Sequence, residues 1–130
     1  MTRPAALETW HHLVRNRDAS GLPALVAEDA VFHSPVVHAP QQGRARVCAY
    51  LGAAFAVLAN DSFRYVRELV EGNQAALEFQ VDIEGIVVNG IDLIAWDDAG
   101  RIVDFKVMIR PLKAIELIHG LMARQLARGA

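Results

Sequence analysis

Apolar positions in residues 5–16 recur at Leu7, Trp10, Leu13 and Val14, a spacing that predicts an amphipathic helix. Pro4 suits its first turn. Asp18 and Ser20 are cap residues for a short second helix carrying Leu22, Leu25 and Val26. Ala30 to Ser34 reads as a strand stopped by Pro35, with Val36–His38 as a short returning strand before a loop at 40–43. In residues 44–59, Val47, Leu51, Ala54, Phe55 and Leu58 fall on one helical face. Asn60-Asp61-Ser62 ends that helix.

The period then changes from helical to twofold. Phe63, Tyr65 and Arg67 alternate with Arg64, Val66 and Glu68. Phe79, Val81 and Ile83 alternate with Glu78, Gln80, Asp82 and Glu84, which predicts one buried and one polar sheet face. Gly85 ends that run. Ile86–Trp96 is a long strand in which Asn89-Gly90 predicts a bulge or bend. Asp97 to Gly100 is a hairpin turn, and Ile102–Ile109 is the last strand. Pro111 opens a closing helix with Leu112, Ile115, Ile118, Leu121 and Met122 on its apolar side. Strands joined by such short turns run antiparallel. The prediction is a single α+β domain over residues 1–130: a curved, cone-shaped antiparallel sheet wrapped around the long helix, two helices before it and one after.

Composition adds a cavity or an interface to this picture. At 130 residues and 53% hydrophobic, the chain holds more apolar side chains than one core of this size requires. Thirteen basic against fifteen acidic residues, without a basic run, argue against nucleic acid as a partner. The opening residues Met1 to Glu8 do not read as a signal peptide. The longest nearly apolar run, residues 51–59, falls short of the roughly 20 needed to cross a bilayer. A single cysteine, Cys48, leaves no internal disulfide and suits the cytoplasm. His11 and His12 stand about 100° apart on a helix and cannot chelate one ion together. No spacing of His, Cys or acidic residues marks a metal site, and no glycine-rich loop marks a phosphate or cofactor site.

Five segments in order resemble SnoaL-like proteins of the nuclear transport factor 2-like superfamily. They are Phe32-His33-Ser34-Pro35, Gly43-Arg44, Gly90 to Ile94, Asp97 to Ile102, and Arg110-Pro111-Leu112. The resemblance implies a conical α+β fold, commonly dimeric through the outer face of its sheet. Its members include ketosteroid isomerase, limonene-epoxide hydrolase, polyketide cyclases and proteins without catalysis. At the position of the isomerase's general base stands Ser34, which cannot take a carbon-bound proton unaided. Asp92 matches the acid that binds the oxyanion, and Trp10 falls at the Tyr of that site. Of the hydrolase set, Asp82 matches one acid, but Gln80 and Val107 replace the other two residues.

The residues therefore predict binding of a small hydrophobic molecule (steroid-, terpenoid- or polyketide-like) in an apolar conical pocket. Asp92 is the hydrogen-bond donor, and Trp10, Ser34, Phe55, Phe79, Trp96 and Ile109 are the wall. In an enzymatic version, an isomerase or cyclase, His38 is the base and Asp92 the acid. The alternative is a non-catalytic homodimer module whose pocket is filled by its own side chains. The polar positions Glu78, Gln80, Asp82 and Glu84 weigh against an apolar outer interface. His33, His119 and Arg110 are read as surface, capping or pairing groups, with Asp104 or Glu116 as Arg110's partner, and Cys48 as an inert buried thiol.

Overall fold

The computed structural model describes residues 3–128; Met1, Thr2, Gly129 and Ala130 lie outside the described residues. The helices are α1 (Ala5–Asn16), α2 (Leu22–Leu25), α3 (Arg44–Leu58) and α4 (Leu112–Arg128). The strands are β1 (Val26–His33), β2 (Gln41–Gln42), β3 (Arg64–Glu71), β4 (Gln74–Ile83), β5 (Ile86–Trp96) and β6 (Ile102–Arg110). They form one curved, unclosed sheet in the order β2-β1-β6-β5-β4-β3. Helix α3 packs across its inner face against β1, and α4 lies on α3 and β6.

The meander β3–β6 is antiparallel as its short turns require. Strand β1 departs from the expected pattern by pairing parallel with β6, which makes the sheet mixed. No tight turn joins those two strands; α3 and four strands intervene, so connectivity leaves their sense free. Strand β1 also begins four residues earlier than predicted, because Val26 and Ala27 are buried in the sheet rather than in α2.

The segment after β1 differs as well. Residues 36–38 form no strand; Gln41 and Gln42 pair back onto Phe32 and Val31 instead. Ser34 Oγ accepts the N–H groups of Val36 and Val37 at 3.0 and 3.2 Å. Those donors are committed to a local turn and are lost to a ladder.

Along β4 and β5 the register runs without interruption through Asn89 and Gly90, so the expected bulge is absent. A Cβ at Gly90 would collide with the ring of Phe79 and lie 2.9 Å from the carbonyl of Met108. The glycine is there for close packing over an aromatic ring. The irregularities sit elsewhere, between Tyr65 and Arg67 on β3, between Ala95 and Trp96 beside β6, and between Val26 and Val31 on β1. The first has consequences for function. Tyr65 pairs with Phe79, on the inner face, while Arg67 pairs with Glu78, on the outer face. The extra residue inverts the alternation, so that Glu68 faces inward although the strict period puts it outside.

The outer face is less polar than the β4 sequence implies. Glu78, Gln80 and Asp82 do stand on it, but Glu84 leaves the sheet for a two-residue turn with Gly85, both at positive φ. Around Glu78 the neighbouring strands supply Leu69, Ile91, Leu93 and Met108, an apolar stripe of which Leu69 is 62% and Met108 48% exposed.

Candidate functional site

Asp92 stands on the inner face of β5, in a row that runs Glu68, Leu77, Asp92, Val107 across β3 to β6. It is 6% exposed, in a core of aliphatic and aromatic side chains. Its Oδ2 accepts a hydrogen bond from the Tyr65 hydroxyl at 2.6 Å. The Tyr65 oxygen in turn accepts from the Trp10 indole Nε1 at 3.0 Å. A directed chain thus runs from α1 through β3 to β5.

The other carboxyl oxygen, Oδ1, makes no hydrogen bond among the described residues, yet no buried side-chain polar atom there is both sealed and unpartnered. Oδ1 therefore faces open space. That space is a cavity of about 40 Å³ walled by Trp10, Phe55, Phe63, Phe79 and Phe105, with Tyr65 and Asp92 as its polar members. Its size suits one water or the oxygen of a ligand.

Burial raises the Asp92 carboxyl from the usual carboxylate range to about 7, against a smaller lowering by the Tyr65 hydrogen bond. Burial, and next the neighbouring Asp92, push the Tyr65 phenol well above its ordinary value. At neutral pH Tyr65 keeps its proton, and Asp92 lies within its titration range. Protonated, Asp92 presents an O–H donor to the cavity; ionised, it presents only acceptors.

A second, larger space adjoins this one. A groove of about 230 Å³ runs between α3, α4, β6 and the turn after β1. Ala54, Leu58 and Val107 line both the groove and the Asp92 cavity. The groove wall is apolar except at Ser34, Tyr50 and His119.

Of the residues expected at the site, Trp10, Phe55 and Phe79 line the Asp92 cavity, and Ser34 and Ile109 line the groove. Trp96 lines neither: it is buried beside Ile102 at the far end of β5. His38 is exposed and lines neither space, because after the turn held by Ser34 residues 38–40 run outward. The structure does not bring His38 to Asp92.

Other expectations resolve locally. His11 is bonded to Glu68 at 2.6 Å, and His33 to Asp104 at 2.8 Å. Arg110 is exposed and pairs with neither Asp104 nor Glu116 among the described residues. Cys48 is half-buried, and burial raises its thiol against a lowering by Arg44. No group of three or more His, Cys, Asp or Glu able to hold a metal ion occurs among the described residues. No helix among them is long and apolar enough to cross a membrane.

Sequence reasoning missed Tyr65 and His119. Tyr65 sits among Arg64, Arg67 and Glu68, with nothing nearby in the chain to mark a partner 27 residues away. An inward aromatic with a polar tip, opposite a strand bearing an unpaired acid, was the available signal.

The sequence model of the SnoaL-like domain matches residues 7–105. The chain belongs to the SnoaL-like domain family. A steroid delta-isomerase from Pseudomonas aeruginosa is 42% identical, with a TM-score of 0.90 over 95% of this chain and 90% of that one. A protein with a cystatin-like fold from Silicibacter pomeroyi is 34% identical, with a TM-score of 0.85 over 93% of this chain and 84% of that one. At 17% identity and a TM-score of 0.65, a hypothetical protein with a ketosteroid isomerase-like fold from Catenulispora acidiphila, in complex with trimethylamine, shares the fold over 92% of this chain and 95% of its own. No curated protein sequence matches the chain. The SnoaL-like match ends before α4, the helix that closes the groove.

Proposed function

We propose that this SnoaL-like protein binds a small, flat hydrophobic oxo compound, with its oxygen on Asp92 and its body in the groove beneath α4. Asp92 Oδ1 carries this reading: it is an unpartnered carboxyl oxygen facing an aromatic cavity, on a group that holds its proton near neutral pH. A pocket of apolar walls with one placed donor is the usual design for such ligands. The 42% identical steroid delta-isomerase supports a steroid-like ring system among the terpenoid and polyketide alternatives. At about 230 Å³ the groove is smaller than the roughly 300–1,000 Å³ of drug-sized sites, so a four-ring ligand projects from its open side or displaces α4.

Titration calorimetry with 4-androstene-3,17-dione at pH 5.5 and pH 8.5 tests this. The steroid is neutral throughout, so its affinity is expected to fall at least tenfold as Asp92 ionises. Asp92→Asn, which keeps a donor, binds at both pH values, and Asp92→Leu does not bind. Equal affinity for the wild type and Asp92→Leu overturns the proposal.

A second reading has its own observation. The aromatic side chains leave only about 40 Å³ beside Asp92, while the outer sheet face exposes Leu69 and Met108 beside Ile91 and Leu93. A second copy of the chain is the occupant that such an apolar, charge-mixed face suits, with Arg67 and Glu78 at 3.5 Å inside it. Sedimentation velocity then gives a dimer for the wild type and a monomer for the Leu69→Glu, Met108→Glu variant. A wild-type monomer at high micromolar concentration removes this reading.

A further inference from the structure

Strand β3 is the last in the sheet, and among the described residues its backbone has no strand partner besides β4. Glu71 and Gln74 close a two-residue turn, Gly72-Asn73, and so form a hydrogen-bonded pair. The ladder runs unbroken from that pair to Arg67, so Leu69 and Arg67 also aim their N–H and C=O groups at β4. The alternate residues, Glu68 and Val70, aim theirs away from the sheet. Such a row of free groups is a template for another strand. No proline or lysine blunts this edge, and Val66, Leu69 and Val70 are exposed along it.

The side chains select the strand that fits. Arg67, Leu69 and Glu71 share the outer face, and Glu68 and Val70 the inner one. A second copy that meets the edge antiparallel, about a two-fold axis perpendicular to the sheet, keeps both faces continuous. With that axis at Leu69, Glu68 lies opposite the partner's Val70, and Val70 opposite the partner's Glu68. The outward N–H and C=O groups of both chains then pair with one another. On the outer face Arg67 meets the partner's Glu71, Glu71 meets the partner's Arg67, and Leu69 meets the partner's Leu69 in a non-hydrogen-bonded pair, where side chains come closest.

Neighbouring registers fail. An axis at Glu68 sets that carboxylate against its own copy, and an axis at Val70 puts Leu69 opposite Glu71 and Glu68 opposite Gly72. In the favoured register the Glu68 charge is already met within its own chain by His11 and Arg3. The bulge after Tyr65 ends the ladder on one side and the Gly72-Asn73 turn ends it on the other.

We propose that β3 is a self-docking edge: two copies join there into one continuous sheet, with Arg67 paired to the partner's Glu71 on either side of Leu69. The contact runs edge to edge. It uses neither the Asp92 cavity nor the stacking of two outer faces, and it stands apart from both readings above.

Sedimentation velocity of the full chain tests this. The ladder is shorter than the roughly 1,200 Å² of stable interfaces requires, so the series extends to about 1 mM. The wild type is expected to pass from monomer to dimer within it, and amide hydrogen exchange at Glu68 and Val70 to slow in parallel. Val70→Pro removes an outward N–H and leaves the β3–β4 bonds in place, as proline is accepted on a strand edge. It is expected to stay monomeric with an unchanged far-UV circular dichroism spectrum. Arg67→Glu and Glu71→Arg are each expected to weaken association about tenfold, and the double variant to recover it. Met108→Glu, on β6 and two strands from the edge, is expected to dimerise like the wild type. A wild type monomeric at about 1 mM, a dimeric Val70→Pro, or a double variant no better than the single ones overturns the proposal. Loss of the dimer in Met108→Glu but not in Val70→Pro overturns it as well and assigns association to the stacked outer faces. Should Val70→Pro fail to fold, the charge-pair variants decide.

Discussion

Asp92 and Glu68 share one row of the inner sheet face, separated only by Leu77, and each accepts a short hydrogen bond of 2.6 Å. Their acidities move in opposite directions. Asp92 is walled by aromatic rings with a neutral phenol as its partner, and burial raises it to about 7. Glu68 stands at the open edge, its side chain 25% exposed, with His11 on one oxygen and Arg3 on the other. Burial raises Glu68 too, but hydrogen bonds from His11 and Arg3, with their charge, outweigh it and leave the group below its ordinary value. Position along the row does not account for this. A cation within reach and access to water separate a surface anion from a buried acid.

The largest expected effect is on Asp92. Its pKa is higher folded than unfolded, so between about 4 and 7 the folded state holds a proton that the unfolded chain has released. Stability from this group is full below that window, falls as pH rises through it and is level above it, a change on the order of 4 kcal/mol. Urea unfolding of the wild type and Asp92→Asn from pH 4 to 8 measures it: the difference between the two curves declines by that amount, and parallel curves would put Asp92 in water.

Tyr65→Phe comes next. It removes the donor to Asp92 Oδ2 and the acceptor for Trp10 Nε1, a loss of about 1–3 kcal/mol for buried groups left unpaired. It also moves Asp92 further up, because the hydrogen bond from Tyr65 was the one influence lowering it. Carboxyl carbon NMR titration reads that shift directly, and an unmoved Asp92 would break the chain from Trp10 to Asp92.

The smallest effect is at Glu68. Its pKa is lower folded than unfolded, so its contribution is present above the ordinary glutamate range and is lost as pH falls. Glu68→Gln is expected to cost less than about 1 kcal/mol at pH 7, as partly exposed pairs do, and nothing at pH 3. A larger loss at pH 7 would mean that the open edge is closed to water.

Much of this architecture was legible in the chain because each element announces itself locally. The helical period in 5–16 and 44–59 and the twofold period in 78–83 depend on neighbours a few residues apart. The acid Asp92 was visible for the same reason, a lone carboxyl in an apolar strand. Tyr65 was not, because its partner lies 27 residues away on β5, and Glu68 was not, because the bulge after Tyr65 is a property of pairing with β4 and strict alternation gives the wrong parity beyond Val66. The surroundings of His38 and His119 were not legible for a related reason. A turn set by the Ser34 side chain sends one histidine outward, while packing of α4 on α3 and β6 brings the other to the groove.

The sequence by itself determined where α1, α3, α4 and the β3–β6 meander run, which of their faces are apolar and that one acid lies among them. Those follow from backbone periodicity and from the cost of burying polar groups. Only the tertiary structure decided that β1 runs parallel to β6, that Asp92 takes Tyr65 rather than a histidine as its partner, and that α4 closes the groove with His119 on its wall. These depend on contacts between residues tens of positions apart, where no local period constrains the choice and packing settles it.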